Sequence, residues 1–170
     1  MELPGKFKIL IVTLSDRAFR GEYDDLSGPR IKEKISAFIE SSGREASINL
    51  NLIPDEASIL NKLMSEAGDE YDLIFTSGGT GIGPRDITVD VIRPLLDKEI
   101  PGVMELIRVK YGMDNPNAVL SRAVAGIMGK ALVYTLPGSL KAVDEYLNEI
   151  LKTLWHTIYM QHGIDTHGKH

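Results

Sequence analysis

An α/β fold, built on a mainly parallel sheet with helices over both faces, is what this sequence predicts. Three features support it. Short apolar runs alternate with stretches of helical periodicity along the chain. Several apolar runs end in loops rich in Gly, Asp and Ser, where open α/β sheets bind ligands. A two-residue connection, Gly129-Lys130, joins two short apolar runs late in the chain and implies one antiparallel strand pair.

Lys8 to Leu14 reads as a buried strand. Ile31, Ile35, Phe38 and Ile39 then mark one face of a helix, with Pro29 near its start and Gly43 as its stop. Ile48 to Ile53 gives a second strand. A helix over about Glu56 to Ala67 follows, ended by Gly68, and Tyr71 to Thr76 is the third strand. After the glycine-rich stretch Ser77 to Arg85, helices are expected near Ile87 to Leu96 and Pro101 to Tyr111. Ala123 to Met128 and Ala131 to Leu136 form the antiparallel pair. Leu140, Val143, Leu147, Ile150, Leu151, Leu154 and Ile158 give the last helix its apolar stripe.

The 170 residues suit one domain, with a core over about residues 7 to 160 and a polar tail over 161 to 170. A hydrophobic share of 43% with 25% charged residues argues against disorder. The absence of cysteine excludes disulfides, thiolate catalysis and cysteine-ligated zinc. No apolar stretch is long enough for a membrane span, and Met1 to Gly5 lacks the features of a signal peptide, so a cytoplasmic protein is expected. A net charge of −5 argues against non-specific nucleic-acid binding, so basic contacts to an anionic ligand must be local.

The loops carry the candidate chemistry. Ser77-Gly78-Gly79-Thr80-Gly81 follows a strand directly. Its glycines let backbone N–H groups converge on an anion, and Ser77 and Thr80 add hydroxyls. It is neither a Walker A loop nor a dinucleotide fingerprint. In Pro84-Arg85-Asp86, Asp86 reads either as an N-cap or as a metal-binding carboxylate, and Arg85 as a surface charge or a phosphate clamp. Asp55, in Pro54-Asp55-Glu56, is likewise a cap or a ligand. Two carboxylates facing a phosphate repel it unless Mg²⁺ lies between them. The long connection Ser15 to Gly28 contains Arg17, Arg20, Asp25 and Ser27. Asp25 and Ser27 can cap a helix, and the arginines can serve phosphate or solvent. Ser139, after Pro137-Gly138, is a cap candidate, and Ser121-Arg122 sets a hydroxyl beside a guanidinium. His156, His162, His167 and His170 have no compact metal-binding spacing. Trp155 is read as core or subunit interface.

In order, these loops resemble the molybdopterin-binding domain of the MogA/MoaB-like family. The matching residues are Ser15-Asp16-Arg17, Gly21, Asp25-x-Ser27-Gly28 and Pro54-Asp55-Glu56, then Ser77 to Gly81, Pro84-Arg85-Asp86-x-Thr88, Pro101-Gly102, Leu120-Ser121-Arg122 and Leu136-Pro137-Gly138. The resemblance spans about Ile9 to Met160. It implies a three-layer α/β/α sandwich, usually a homotrimer. It also implies transfer of AMP from ATP to the terminal phosphate of molybdopterin, whose product a later molybdenum-insertion protein takes up. Asp55 and Asp86 match the family's catalytic pair and would hold Mg²⁺. Ser15, Asp25, Gly28, Ser77, Gly78, Gly79, Thr80, Gly81, Arg85, Ser121, Arg122, Pro137, Gly138 and Ser139 fall at substrate-binding positions. Ser77 replaces a common threonine, Val89 a common proline, and Asp90 stands where Glu also occurs. Two other readings remain open at this level: a pterin-binding protein without turnover, and a diverged domain on a related fold.

Overall fold

The computed structural model describes residues 3–164. In chain order the elements are β1 (Lys6–Leu14), α1 (Asp16–Phe19), α2 (Ser27–Ser41), β2 (Glu45–Ile53), α3 (Ala57–Ala67), β3 (Leu73–Ser77), α4 (Thr88–Ile92), β4 (Lys98–Glu99), α5 (Pro101–Gly112), β5 (Ala125–Met128), β6 (Ala131–Leu136) and α6 (Leu140–Gln161). Short 3₁₀ turns occupy Arg93–Leu95 and Pro116–Leu120. The expected tail, with His167 and His170, lies outside the described residues, apart from its first four positions.

The sheet order is β2-β1-β3-β6-β5-β4. β2, β1, β3 and β6 run parallel, and β5 and β4 each pair antiparallel with their neighbour. This is the predicted mixed sheet, with β4 adding a second antiparallel pair to the one expected. Gly129, at φ +57°, makes the tight turn between β5 and β6 that the sequence implies.

Alternation along β1 assigns its side chains to two cores. Phe7, Ile9 and Ile11 pack with Ile31, Ile35 and Ile39 of α2, with Met104 and Ile107 of α5, and with the α6 stripe. Leu10, Val12 and Leu14 face Leu60, Met64, Val89 and Ile92 from α3 and α4. Each fully buried side chain of this size contributes about 1.5–3 kcal/mol. Trp155 stacks on Phe38 at 5.4 Å and meets Phe7 edge-on at 5.7 Å, so it belongs to the first core. No helix among the described residues is long and apolar enough to cross a membrane.

Two expectations need correction. The helix predicted over Ile87 to Leu96 is α4 followed by a 3₁₀ turn, because Pro94 has no N–H and its ring crowds the preceding turn. Strand ends also differ: the third strand runs Leu73–Ser77, and β5 begins at Ala125. β4 and α1 are too short to give a periodic signal.

α5 and α6 are joined by a charge cluster. Lys110 Nζ donates to Glu149 Oε1 at 2.6 Å, Lys152 Nζ to Oε2 at 2.8 Å, and Tyr111 Oη to Oε1 at 3.1 Å. The two lysines bring the Glu149 carboxyl down to about 2. A depressed carboxyl stabilises the fold above its ordinary value of 4.5 and loses that contribution as pH falls through about 2. Because both lysines are about half exposed, Glu149→Gln should cost only about 1 kcal/mol at neutral pH. Urea unfolding at a series of pH values checks this: the difference between the two proteins should shrink as the solution is acidified below 4.5.

Candidate functional site

β1, β3 and β6 lie side by side and parallel, so Leu14, Ser77 and Leu136 end at one edge. The loop after β3 leaves that edge with Gly78 at φ +99° and Gly79 at +64°. Glycine is needed at both positions, and a Cβ on Gly78 would collide with Leu14 O. The carbonyls from Gly78 to Gly81 are all engaged by the protein. Thr88 Oγ1 donates to Gly78 O at 2.8 Å, and Thr88 N to Gly79 O at 3.0 Å. Arg122 N donates to Thr80 O at 2.8 Å, and Arg122 Nε to Gly81 O at 2.7 Å. The Gly78 N–H is bound to Leu136 O at 2.9 Å. What the loop can offer a ligand is therefore the N–H groups of Gly79, Thr80 and Gly81, an array suited to an anion.

Two cavities open at this edge. The larger, of about 440 Å³, has Gly79, Thr80, Gly81 and Asp86 in its wall, facing Ser121 and Tyr146. Pro137, Gly138 and Ser139 also contribute to it. The smaller, of about 290 Å³, is lined by Ser15, Tyr23, Asp25, Ser27 and Ser77. Gly138 belongs to both walls, and a Cβ there would lie 3.4 Å from Gly78 Cα.

The hydrogen bonds test the capping readings. Asp86 does not cap α4: the residue before that helix is Ile87, without a side-chain cap, and Asp86 Oδ2 instead accepts from Gly83 N at 2.8 Å. Asp55 does not cap α3 either. Asp16 N donates to Asp55 Oδ2 at 2.9 Å, while Asp55 N donates to Asp16 Oδ1 at 3.0 Å. This reciprocal clasp ties the exits of β1 and β2 together. Asp25, in contrast, does cap: its Oδ1 accepts from Ser27 N, Ser27 Oγ and Gly28 N, and its Oδ2 accepts from Thr13 Oγ1 at 2.8 Å. Gly28 thus packs on the Asp25 carboxylate. Ser139 caps α6 through Ala142 N, and Ser15 caps α1 through Ala18 N while sharing a hydrogen bond with Tyr23 Oη.

Asp55 lies outside the walls of both cavities, yet it shares the edge with Asp86. Arg85 links the two regions, with Nε and Nη2 donating to Asp16 Oδ2 at 3.0 and 2.7 Å. Burial first, then the charges of Asp16 and Asp86, push the Asp55 carboxyl above its ordinary value, against the opposing effect of Arg85 and the Asp16 N–H. Arg85 holds the Asp16 carboxyl below its ordinary value. The hydrogen bonds leave Oδ1 of Asp55 and Oδ1 of Asp86 without a donor among the described residues. No group of three or more His, Cys, Asp or Glu suited to a metal occurs among the described residues.

Arg122, expected at a substrate-binding position, is engaged by the protein itself. Its guanidinium is directed at Gly81 O, Asp86 O and the Asp90 carboxylate, and it is absent from the cavity walls. Arg17 and Arg20 both pair with Glu22 on the surface. Two residues of the site escape the sequence reading. Asp16 carries no local signal beyond its place next to Ser15. Tyr146, whose Oη donates to Ser121 Oγ at 2.9 Å, is buried on the apolar face of α6, where an aromatic residue reads as core.

Residues 10–156 match the family described as "Probable molybdopterin binding domain", and the chain belongs to it. It is 37% identical over 163 residues to a molybdopterin adenylyltransferase of Pyrococcus furiosus, covering 92% of each protein. It is 38% identical over 155 residues to gephyrin of Dictyostelium discoideum, covering 87% of this chain but 21% of that much longer protein. The crystal structure of the molybdopterin biosynthesis enzyme MoaB from Thermus thermophilus superposes with a TM-score of 0.81 at 38% identity, over 92% of this chain and 97% of that one.

The crowded carboxylate has a consequence for stability. A carboxyl raised in the folded state favours the fold when protonated and costs stability once pH exceeds the ordinary value of 3.8. Asp55→Asn removes the charge and keeps an oxygen for the Asp16 N–H. The variant should unfold at a urea concentration equal to or above that of the parent at pH 7. That advantage should vanish as the pH is lowered past 3.8. A large loss of stability at pH 7 would contradict the electrostatic account.

Proposed function

We propose that this chain transfers AMP from ATP to the terminal phosphate of molybdopterin, with Mg²⁺ held by Asp55 and Asp86. One observation carries the reading: the N–H array of Gly79, Thr80 and Gly81 shares a single cavity wall with Asp86. An anion cradle beside a carboxylate suits a reaction between two phosphates with a cation between them. The molybdopterin adenylyltransferase of P. furiosus, alike over nearly its whole length, supports the same chemistry.

The donor set fits the metal. Mg²⁺ is commonly bound by one or two carboxylates plus substrate phosphates, and each aspartate keeps one oxygen without a donor among the described residues. When bound, the ion would neutralise charge on the triphosphate. The chain itself positions the reactants. Backbone N–H groups hold an anion, Ser121 and Thr80 add hydroxyls to the wall, and Asp16 and Gly83 hold the two aspartates in orientation. A molybdopterin phosphate oxygen attacks the α-phosphorus, the bond from that phosphorus to the bridging oxygen breaks, and pyrophosphate leaves. The nucleophile is already ionised at neutral pH, so no histidine base is required. Assembly as a homotrimer in the cytoplasm belongs to the same reading, and sedimentation at micromolar concentration tests the assembly.

Asp86→Asn should lower the rate of pyrophosphate release at least about tenfold, about 1.4 kcal/mol of barrier. The assay needs ATP, molybdopterin and Mg²⁺, and omission of any one should abolish release. Molybdopterin binding without pyrophosphate release in the parent protein would replace the enzyme by a binding role. Failure to bind molybdopterin at all would remove both.

A further inference from the structure

Between Gly81 and Asp86 the chain forms neither helix nor strand, and it stands out from the sheet edge with Ile82 at 74% exposure. One side chain fastens both ends of that segment. Arg122 Nε donates to Gly81 O at 2.7 Å, and Nη2 donates to Asp86 O at 2.7 Å. The same guanidinium is anchored by Asp90, with Nη1 to Oδ1 at 2.7 Å and Nη2 to Oδ2 at 3.0 Å. The backbone N–H of Arg122 adds the bond to Thr80 O. Arg108 steadies the strand of chain that carries Arg122, its Nη1 donating to Ser121 O at 3.3 Å and Ala123 O at 3.1 Å.

We infer that Arg122 is a positioning residue, which with Asp90 as its anchor fixes the glycine loop and the backbone of Asp86 relative to each other and does not itself bind the ligand. A guanidinium can serve two carbonyls and one carboxylate at once because its donors form a rigid planar fork, whereas a lysine ammonium is a single point charge. Asp90 is 63% exposed and absent from the walls of both cavities. Its hydrogen bonds go to Arg122, so its loss acts on the loop through that guanidinium. The kinetic readout rests on the adenylyl transfer proposed above, whereas the geometry of the loop stands apart from it.

Arg122→Lys, Asp90→Asn, Asp90→Glu and the double variant Arg122→Lys with Asp90→Asn test the assignment. Amide hydrogen exchange over residues 78 to 86 reads the loop directly, and steady-state kinetics read its effect. Arg122→Lys and Asp90→Asn should both speed exchange there. Both should lower kcat at least about tenfold, while KM for molybdopterin changes by less than about threefold. Asp90→Glu should restore most of the loss, and the double variant should be no slower than Arg122→Lys alone. The assignment is overturned if Asp90→Asn leaves exchange and kcat unchanged while Arg122→Lys weakens molybdopterin binding, because Arg122 would then be a ligand contact. A fall in melting temperature with kcat unchanged overturns it too. If the parent protein binds molybdopterin without turnover, the proposed reaction fails by itself, and exchange in Asp90→Asn still decides whether Arg122 clamps the loop.

Discussion

A backbone loop at a sheet edge carries as many acceptors as donors, and it becomes an anion site only when the acceptors are taken elsewhere. That constraint governs this molecule. Four consecutive carbonyls, from Gly78 to Gly81, are held by Thr88 and Arg122. The N–H groups of Gly79, Thr80 and Gly81 are left without an acceptor among the described residues. The parallel register supplies the frame: β1, β3 and β6 end side by side, so the loop is braced by Leu136 on one side and approaches Leu14 on the other.

The same edge gathers negative charge in a protein that is already acidic overall. Burial, more than the neighbouring charges of Asp16 and Asp86, raises the carboxyl of Asp55. Asp55 and Asp86 each accept through a single oxygen, so an asparagine at either place could make the same hydrogen bond without the charge. On the reading proposed above, a cation held by Asp55 and Asp86 would offset that charge beside the N–H array.

Much of this architecture is legible in the chain. Apolar runs mark the strands, and the strand-end rule points to the loops that form the edge. The glycine loop is legible because two adjacent residues with positive φ require glycine in practice. Helix boundaries are harder to read. Pro94 divides a predicted helix, and Asp86 resembles a cap because capping and ligation use the same residue type in the same place. The roles of Asp16, Tyr146 and Arg122 are hidden for a different reason. Each depends on a partner 25 to 41 positions away, and one sequence carries no record of such contacts.

Two arginines near the cradle differ in what holds them. Arg85 is 63% exposed and bonds a single carboxylate oxygen of Asp16, the kind of surface ion pair that is worth about 0–1 kcal/mol. A competing phosphate can displace it at little cost. Arg122 is half as exposed, at 32%, and its bonds go to two backbone carbonyls and both oxygens of Asp90. Releasing it would leave carbonyls without donors and free the loop at both ends. Residue type alone makes the two look interchangeable as phosphate ligands. Their partners separate them into an arginine held by one exposed ion pair and one held at two backbone carbonyls and a carboxylate.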